Sequence, residues 1–148
     1  ADVLTQHQDS PATQEAAQEA GVYSIGYDSD MAQFAPKAHL VAAVWNWTPI
    51  YKEIVEEVKA GKFKSRDIWY GLEKGVVDLS PFGPMVPEKV KEKILKVKEE
   101  IKKGKLKVFT GPIKDQQGKI RIPAGKVASD QELLGMDWFV EGVIGNTK

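Results

Sequence analysis

Three short segments carry most of the side chains able to hold a ligand: His7-Gln8-Asp9-Ser10, Tyr27-Asp28-Ser29-Asp30 and Trp45-Asn46-Trp47. Each follows an apolar run that reads as a β-strand. Their carboxylates and amides offer hydrogen-bond partners, and their rings offer flat faces, so the set suits a planar, polar, uncharged ring. His7, Asp9, Ser10, Asp28, Asp30, Trp45, Asn46 and Trp47 are therefore the candidate ligand-binding residues. A plainer reading stands beside each. Asp9 or Ser10 can serve only as a helix cap, and capping does not exclude ligand contact. Asp28 and Asp30 can be turn residues. Trp45 and Trp47 alternate, so in a strand they share a face, where packing is the commoner role.

Reactive chemistry has less support. There is no cysteine, which removes thiol nucleophiles, thiolate metal sites and disulfides from this stretch. His7 and His39 stand at unrelated spacing, which argues against a metal site or a histidine base. No phosphate loop, nucleophile elbow or H-E-x-x-H is present, and Gly71 and Gly75 lack the other glycines of a dinucleotide fingerprint. Asp28 and Asp30 taken as an acid and base pair lack a third polar group set by the sequence. No cofactor is expected.

The elements that position these segments follow from periodicity. Residues 2–6 read as a short strand, and Ser10-Pro11 is a helix start, cap followed by proline. That helix runs to Ala20, with Ala12, Ala16, Ala17 and Ala20 as a narrow apolar stripe for close packing on a sheet, and Gly21 stops it. Val22 to Gly26 and Leu40 to Val44 read as buried strands. Thr48-Pro49 starts a second helix with Ile50, Ile54, Val55 and Val58 on one face, ended by Gly61. Residues 67–79 read as extended. Val90, Ile94, Val97 and Ile101 stripe a third helix whose lysines face solvent, closed by Gly104. Leu106 to Thr110 and Lys119 to Ile122 read as a peripheral hairpin, and Ser129-Asp130-Gln131-Glu132 as a capping box opening a last short helix. Strands alternating with helices imply an α/β fold with a parallel sheet, whose ligands sit at the carboxyl ends of the strands.

Composition bounds the rest. The 148 residues, 42% apolar with four Trp, suffice for one real core. Lys plus Arg and Asp plus Glu both number 21, so no net field draws the chain to nucleic acid, and no nucleic-acid partner is expected. No apolar stretch approaches the roughly 20 residues of a membrane helix. Residues 1–36 hold six acids and no base, whereas residues 86–107 hold nine lysines against four glutamates. With no starting Met and a strand at its first residues, the chain reads as a piece of a longer protein.

The block Val22-Tyr23-Ser24-Ile25-Gly26-Tyr27-Asp28-Ser29-Asp30 and the stretch from Ile113-Lys114-Asp115 to Ile122-Pro123 carry a resemblance. So do His7-Gln8-Asp9-Ser10-Pro11, Trp45-Asn46-Trp47, Gly61-Lys62-Phe63 and the run from Met136-Asp137-Trp138 to Gly142. Across nearly all its length the chain resembles the C-terminal half of the basic membrane protein (BMP) family. These are the purine-nucleoside-receptor-like solute-binding lipoproteins of bacterial and archaeal ABC importers.

The resemblance implies a type I periplasmic-binding-protein fold, two α/β lobes closing like a hinge on a small-molecule purine. Residues 1–44 would belong to the second lobe, 45–82 to a crossover and a first-lobe helix, and 83–148 to the return into the second lobe with its C-terminal hairpin and helix. It implies an ABC permease as partner and an extracytoplasmic place, anchored to the cell membrane as a lipoprotein. Asp28 and Asp30 match the acidic block that nucleoside-binding relatives place near the ligand. Those relatives tend to carry a lysine at the end of the next strand, where this chain has Val44-Trp45-Asn46; that departure favours a free base such as adenine. A flavodoxin-like regulatory or interaction domain is the alternative, since some relatives act as regulators, and a small hydrolase using Asp28 or Asp30 is a third. If the first lobe is missing, the uncovered apolar faces should find cover in a second copy, by dimerisation or segment exchange.

Overall fold

A computed structural model describes residues 1–146, which fall into two compact units, one ending at Lys103 and one beginning at Gly104. In the first unit β1 (Val3–Thr5), β2 (Tyr23–Asp28) and β3 (His39–Trp45) run parallel, and β4 (Val77–Leu79) completes the order β1-β2-β3-β4. The parallel sheet expected is present in β1 to β3, and β4 adds an antiparallel strand at its edge. The reason is topological. Trp45, which ends β3, pairs with Val77, which begins β4, so the chain re-enters the sheet at the edge it left and must run the opposite way. Residues 67–79 are also less extended than expected: Leu72–Lys74 form a 3₁₀ turn, and only the last three residues are strand.

α1 (Ala12–Glu19) opens as the Ser10-Pro11 signal indicates. Ser10 Oγ accepts the Ala12 N–H at 3.3 Å, and Gly21 takes the left-handed φ of 68° that ends the helix. Its buried face differs from the alanine stripe. Ala12, Ala16 and Ala20 are exposed, whereas Gln14 and Ala17 are wholly buried. Ala17 packs with Ala35 and Ala38, and Leu4 and Val22 lie against them, so small side chains set a close helix-to-sheet approach. Glycine 26 serves the same end, because a Cβ there would stand 2.7 Å from Gln14 Oε1 and 3.0 Å from Ala42 Cβ.

A buried polar network ties this core together. His39, 1% exposed, holds Gln14 Nε2 at 2.9 Å from its Nδ1 and Ser80 Oγ at 3.2 Å from its Nε2. Gln14 Nε2 also donates to Ser24 Oγ, while Ser80 Oγ accepts the Ala42 N–H at 2.8 Å. Helix α1 and strands β2 and β3 are thereby linked to the residue following β4. Buried groups need such partners.

α2 (Thr48–Lys59) forms with the expected proline start, and α3 (Glu88–Lys102) follows Pro87. α2 buries none of its residues, and Val55 and Val58 on its apolar stripe are 50% and 58% exposed. α3 turns Val90 and Ile94 towards Tyr23 and Ile25 of the sheet across an apolar groove of about 380 Å³. Lys98 pairs with Asp78.

In the second unit the hairpin lies further along than expected. β5 (Ile113–Lys114) pairs with β6 (Ile120–Ile122), and 106–110 is not a strand. Asp115 decides this, since its Oδ1 accepts the N–H groups of Gln117 and Lys119 at 3.0 Å and fixes the turn. α4 (Asp130–Leu134) carries the complete capping box: Ser129 Oγ accepts the Glu132 N–H, and Glu132 accepts the Ser129 N–H at 2.8 Å.

Candidate functional site

Parallel pairing brings the carboxyl ends of β1, β2 and β3 to one edge, and the side chains there form a continuous run of rings. His7 lies 4.4 Å from Tyr27, centroid to centroid, and Tyr27 meets Trp45 edge-on at 6.2 Å. Trp45 stacks on Trp47 at 5.9 Å and 26°, and Trp47 on Tyr51 of α2 at 6.4 Å and 24°. The spacing of Trp45 and Trp47 thus places both rings on one side. Trp45 is 38% and Trp47 50% exposed, so their faces stay open rather than sealed in a core.

Beside this run lies a cleft of about 400 Å³, lined by Trp45, Trp47, Ile50, Trp69, Tyr70 and Val76 among others. Its far wall is fixed by charge. The Tyr70 hydroxyl donates to Glu53 at 2.9 Å, and Arg66 bridges Glu53 and Glu57 at 2.7 Å each, tying the segment after α2 back to α2. The hydrogen bond to Glu53 raises the Tyr70 pKa above that of a free phenol, and the bonds to Glu57 and then Glu53 raise that of Arg66, so both stay protonated.

The polar candidates divide. Asp28 ends β2 with φ 73°, a left-handed conformation that costs a residue with a Cβ on the order of 1–3 kcal/mol. The Ser29 N–H bonds back to the Tyr27 carbonyl at 2.9 Å, which tightens that turn. Asp30 stays 44% exposed: its Oδ1 accepts the Ala32 N–H at 3.0 Å and lies 3.9 Å from His39 Nε2. Asn46 Oδ1 accepts the Thr48 N–H at the start of α2, as Ser10 accepts that of Ala12 at the start of α1. His7 and Asp9 are exposed on the loop between β1 and α1, where Gln6 Nε2 donates to the Ser10 carbonyl. The geometry therefore joins His7, Trp45 and Trp47 through Tyr27, puts Asp28 at the strand end that follows Tyr27, and sets one Asp30 oxygen near His39. Sequence reasoning passed over Trp69 and Tyr70, an aromatic pair in an irregular stretch, and His39, whose only signal was a histidine heading an apolar run. No cluster of three or more metal-ligating side chains occurs among the described residues.

These features find counterparts in known proteins. The family model for PnrA-like ABC transporter substrate-binding proteins (Bmp) matches residues 1–117. A purine-binding protein of Brucella abortus is 43% identical over 142 residues, 96% of this chain and 40% of that protein. A Haloferax volcanii protein named for glucose binding in an ABC transporter is 39% identical over 93 residues, 63% of this chain and 24% of that one. Among solved structures, a transcriptional activator of the comK gene from Bacillus halodurans superposes with a TM-score of 0.64 at 26% identity, covering 71% of this chain and 38% of its own. An ABC transporter solute-binding protein from Conexibacter woesei superposes with a TM-score of 0.58 at 22% identity, covering 73% and 37%, a likeness of fold. The chain spans less than half the length of each of these four proteins. With a periplasmic-binding-protein-like α/β unit in place and the family match running through most of its residues, the chain belongs to the family of PnrA-like ABC transporter substrate-binding proteins.

Proposed function

We propose that the chain is part of the solute receptor of an ABC importer and supplies one wall of a site for a purine base or nucleoside, adenine favoured. The observation that carries this reading is the ring run His7–Tyr27–Trp45–Trp47 along the carboxyl edge of the sheet; in this reading Asp28, the residue after Tyr27, serves as hydrogen-bond acceptor. A heterocycle stacks on an indole face, and its ring N–H or amino group donates to the carboxylate. Binding of this kind needs no reactive group. The receptor releases its ligand unaltered, and hinge closure of a second lobe supplies the opposite wall.

The topology supports a two-lobed whole. Between Trp45 and Val77 the chain leaves the sheet and returns at the same edge, carrying α2 with its uncovered apolar stripe, as a helix bound for another lobe does. In this reading residues 1–44 belong to the second lobe, 45–82 to the crossover and first-lobe helix, and 83–148 to the return. The full protein works outside the cytoplasm, held to the membrane as a lipoprotein and serving a permease. The relative named for purine binding aligns with nearly all of this chain.

The likeness to a transcriptional activator supports a second reading, a ligand-responsive regulatory domain without a transport role. Isothermal titration of the full-length protein with adenine, guanosine, inosine and glucose separates the readings. One purine bound per chain and recovered unchanged supports the receptor, and product formation indicates an enzyme. Silence with every purine favours the regulatory domain or another ligand, glucose among them.

A further inference from the structure

The geometry points to Asp30 as a positioning residue, one that holds Asp28 at the ligand wall without touching the ligand itself. This rests on the reading of that edge as the purine site. Asp28 and Asp30 bracket a single residue, yet their surroundings are opposite. Asp28 closes β2 in the left-handed region next to Tyr27 and the ring run, whereas Asp30 lines a separate pocket of about 200 Å³ with Pro36, His39 and Phe82. The Asp30 Oδ1 accepts the Ala32 N–H at 3.0 Å and faces His39 Nε2 at 3.9 Å.

His39 cannot drift, because it is 1% exposed and gripped by Gln14 on one ring nitrogen and Ser80 on the other. Ser80 is fixed in turn, accepting from the Ala42 N–H and donating to the Pro81 carbonyl. The turn after β2 is thus pinned at both ends: at Asp28 by pairing with Val44, and at Asp30 by the Ala32 amide over a buried imidazole. A left-handed residue with a Cβ persists where its neighbours leave it no alternative, and the anchor from Asp30 forward to Ala32 holds the turn that leaves Asp28. The anchor needs an acceptor at Oδ1 more than a charge, which an asparagine reproduces.

The test uses the full-length protein, adenine titration and thermal midpoints for Asp28→Ala, Asp30→Ala and Asp30→Asn. Losing the anchor in Asp30→Ala weakens adenine binding about tenfold with the thermal midpoint nearly unchanged, and Asp30→Asn recovers to within about threefold of the parent. Asp28→Ala removes the contact itself and weakens binding at least as much as Asp30→Ala. Asp30→Ala binding like the parent, or Asp30→Asn as impaired as Asp30→Ala, overturns the positioning role while leaving the purine site in place. Asp28→Ala and Asp30→Ala both binding adenine like the parent overturns the site assignment and the inference together.

Discussion

At the scale of single residues, Trp45 is proposed to bind and Gly26 lets the helix and sheet pack closely. Truncation of Trp45 to alanine in the full-length protein removes a stacking face worth about 1–3 kcal/mol, a tenfold to hundredfold loss of affinity for adenine by titration. A Gly26→Ala change forces a Cβ against Gln14 Oε1 and Ala42, which costs about 1–3 kcal/mol in urea unfolding, as overpacked cores do. An unchanged midpoint would show that Gln14 can withdraw freely. These two residues differ in how far they were legible. The Trp45 and Trp47 alternation suggested a shared face, and the rings do stack, although Trp47 lies beyond β3 at the start of α2, so the strand period alone does not set it. By contrast the burial of Gln14 in place of the neighbouring alanines was hidden. The histidine across the sheet, the Ser24 hydroxyl and the missing Cβ at position 26 make a glutamine welcome inside, and all three lie at least ten residues away along the chain.

At the scale of elements, local signals gave the helices and misplaced the hairpin. Proline starts and glycine stops act over a few residues, so α1, α2 and α3 lie close to where periodicity puts them. The hairpin register was decided by Asp115, whose carboxylate makes a turn that outweighs the strand expected over Leu106 to Thr110. The antiparallel β4 depends on where the excursion after β3 returns, which no local pattern encodes. The capping box of α4 was readable from four residues and yields a pH prediction. Hydrogen bonds from Lys126 and then the Ser129 backbone lower the Glu132 pKa from 4.5 to about 2. A group whose folded pKa is depressed contributes stability above its unfolded value, and that contribution disappears as pH falls through the folded one. Protection of the Glu132 amide from hydrogen exchange is therefore steady above pH 4.5 and falls away towards pH 2. Ser129→Ala lowers it by about 1 kcal/mol at neutral pH, whereas protection independent of pH would contradict the box.

At the scale of the whole molecule, α2 leaves apolar surface open, with Val55 and Val58 at least half exposed. The isolated chain of 148 residues should self-associate, and sedimentation at high concentration shows a dimer or exchanged species; a clean monomer would contradict this. The central claim is that three strand ends converge on a flat ring and hold it without reaction. Calorimetric titration of the full-length receptor with adenine, followed by chromatography of the recovered ligand, addresses it directly. The account predicts one adenine bound per chain, recovered intact, with indole fluorescence quenched in the parent and less so in Trp45→Ala. Absence of heat with adenine, guanosine and inosine alike, or recovery of a cleaved product, would contradict it.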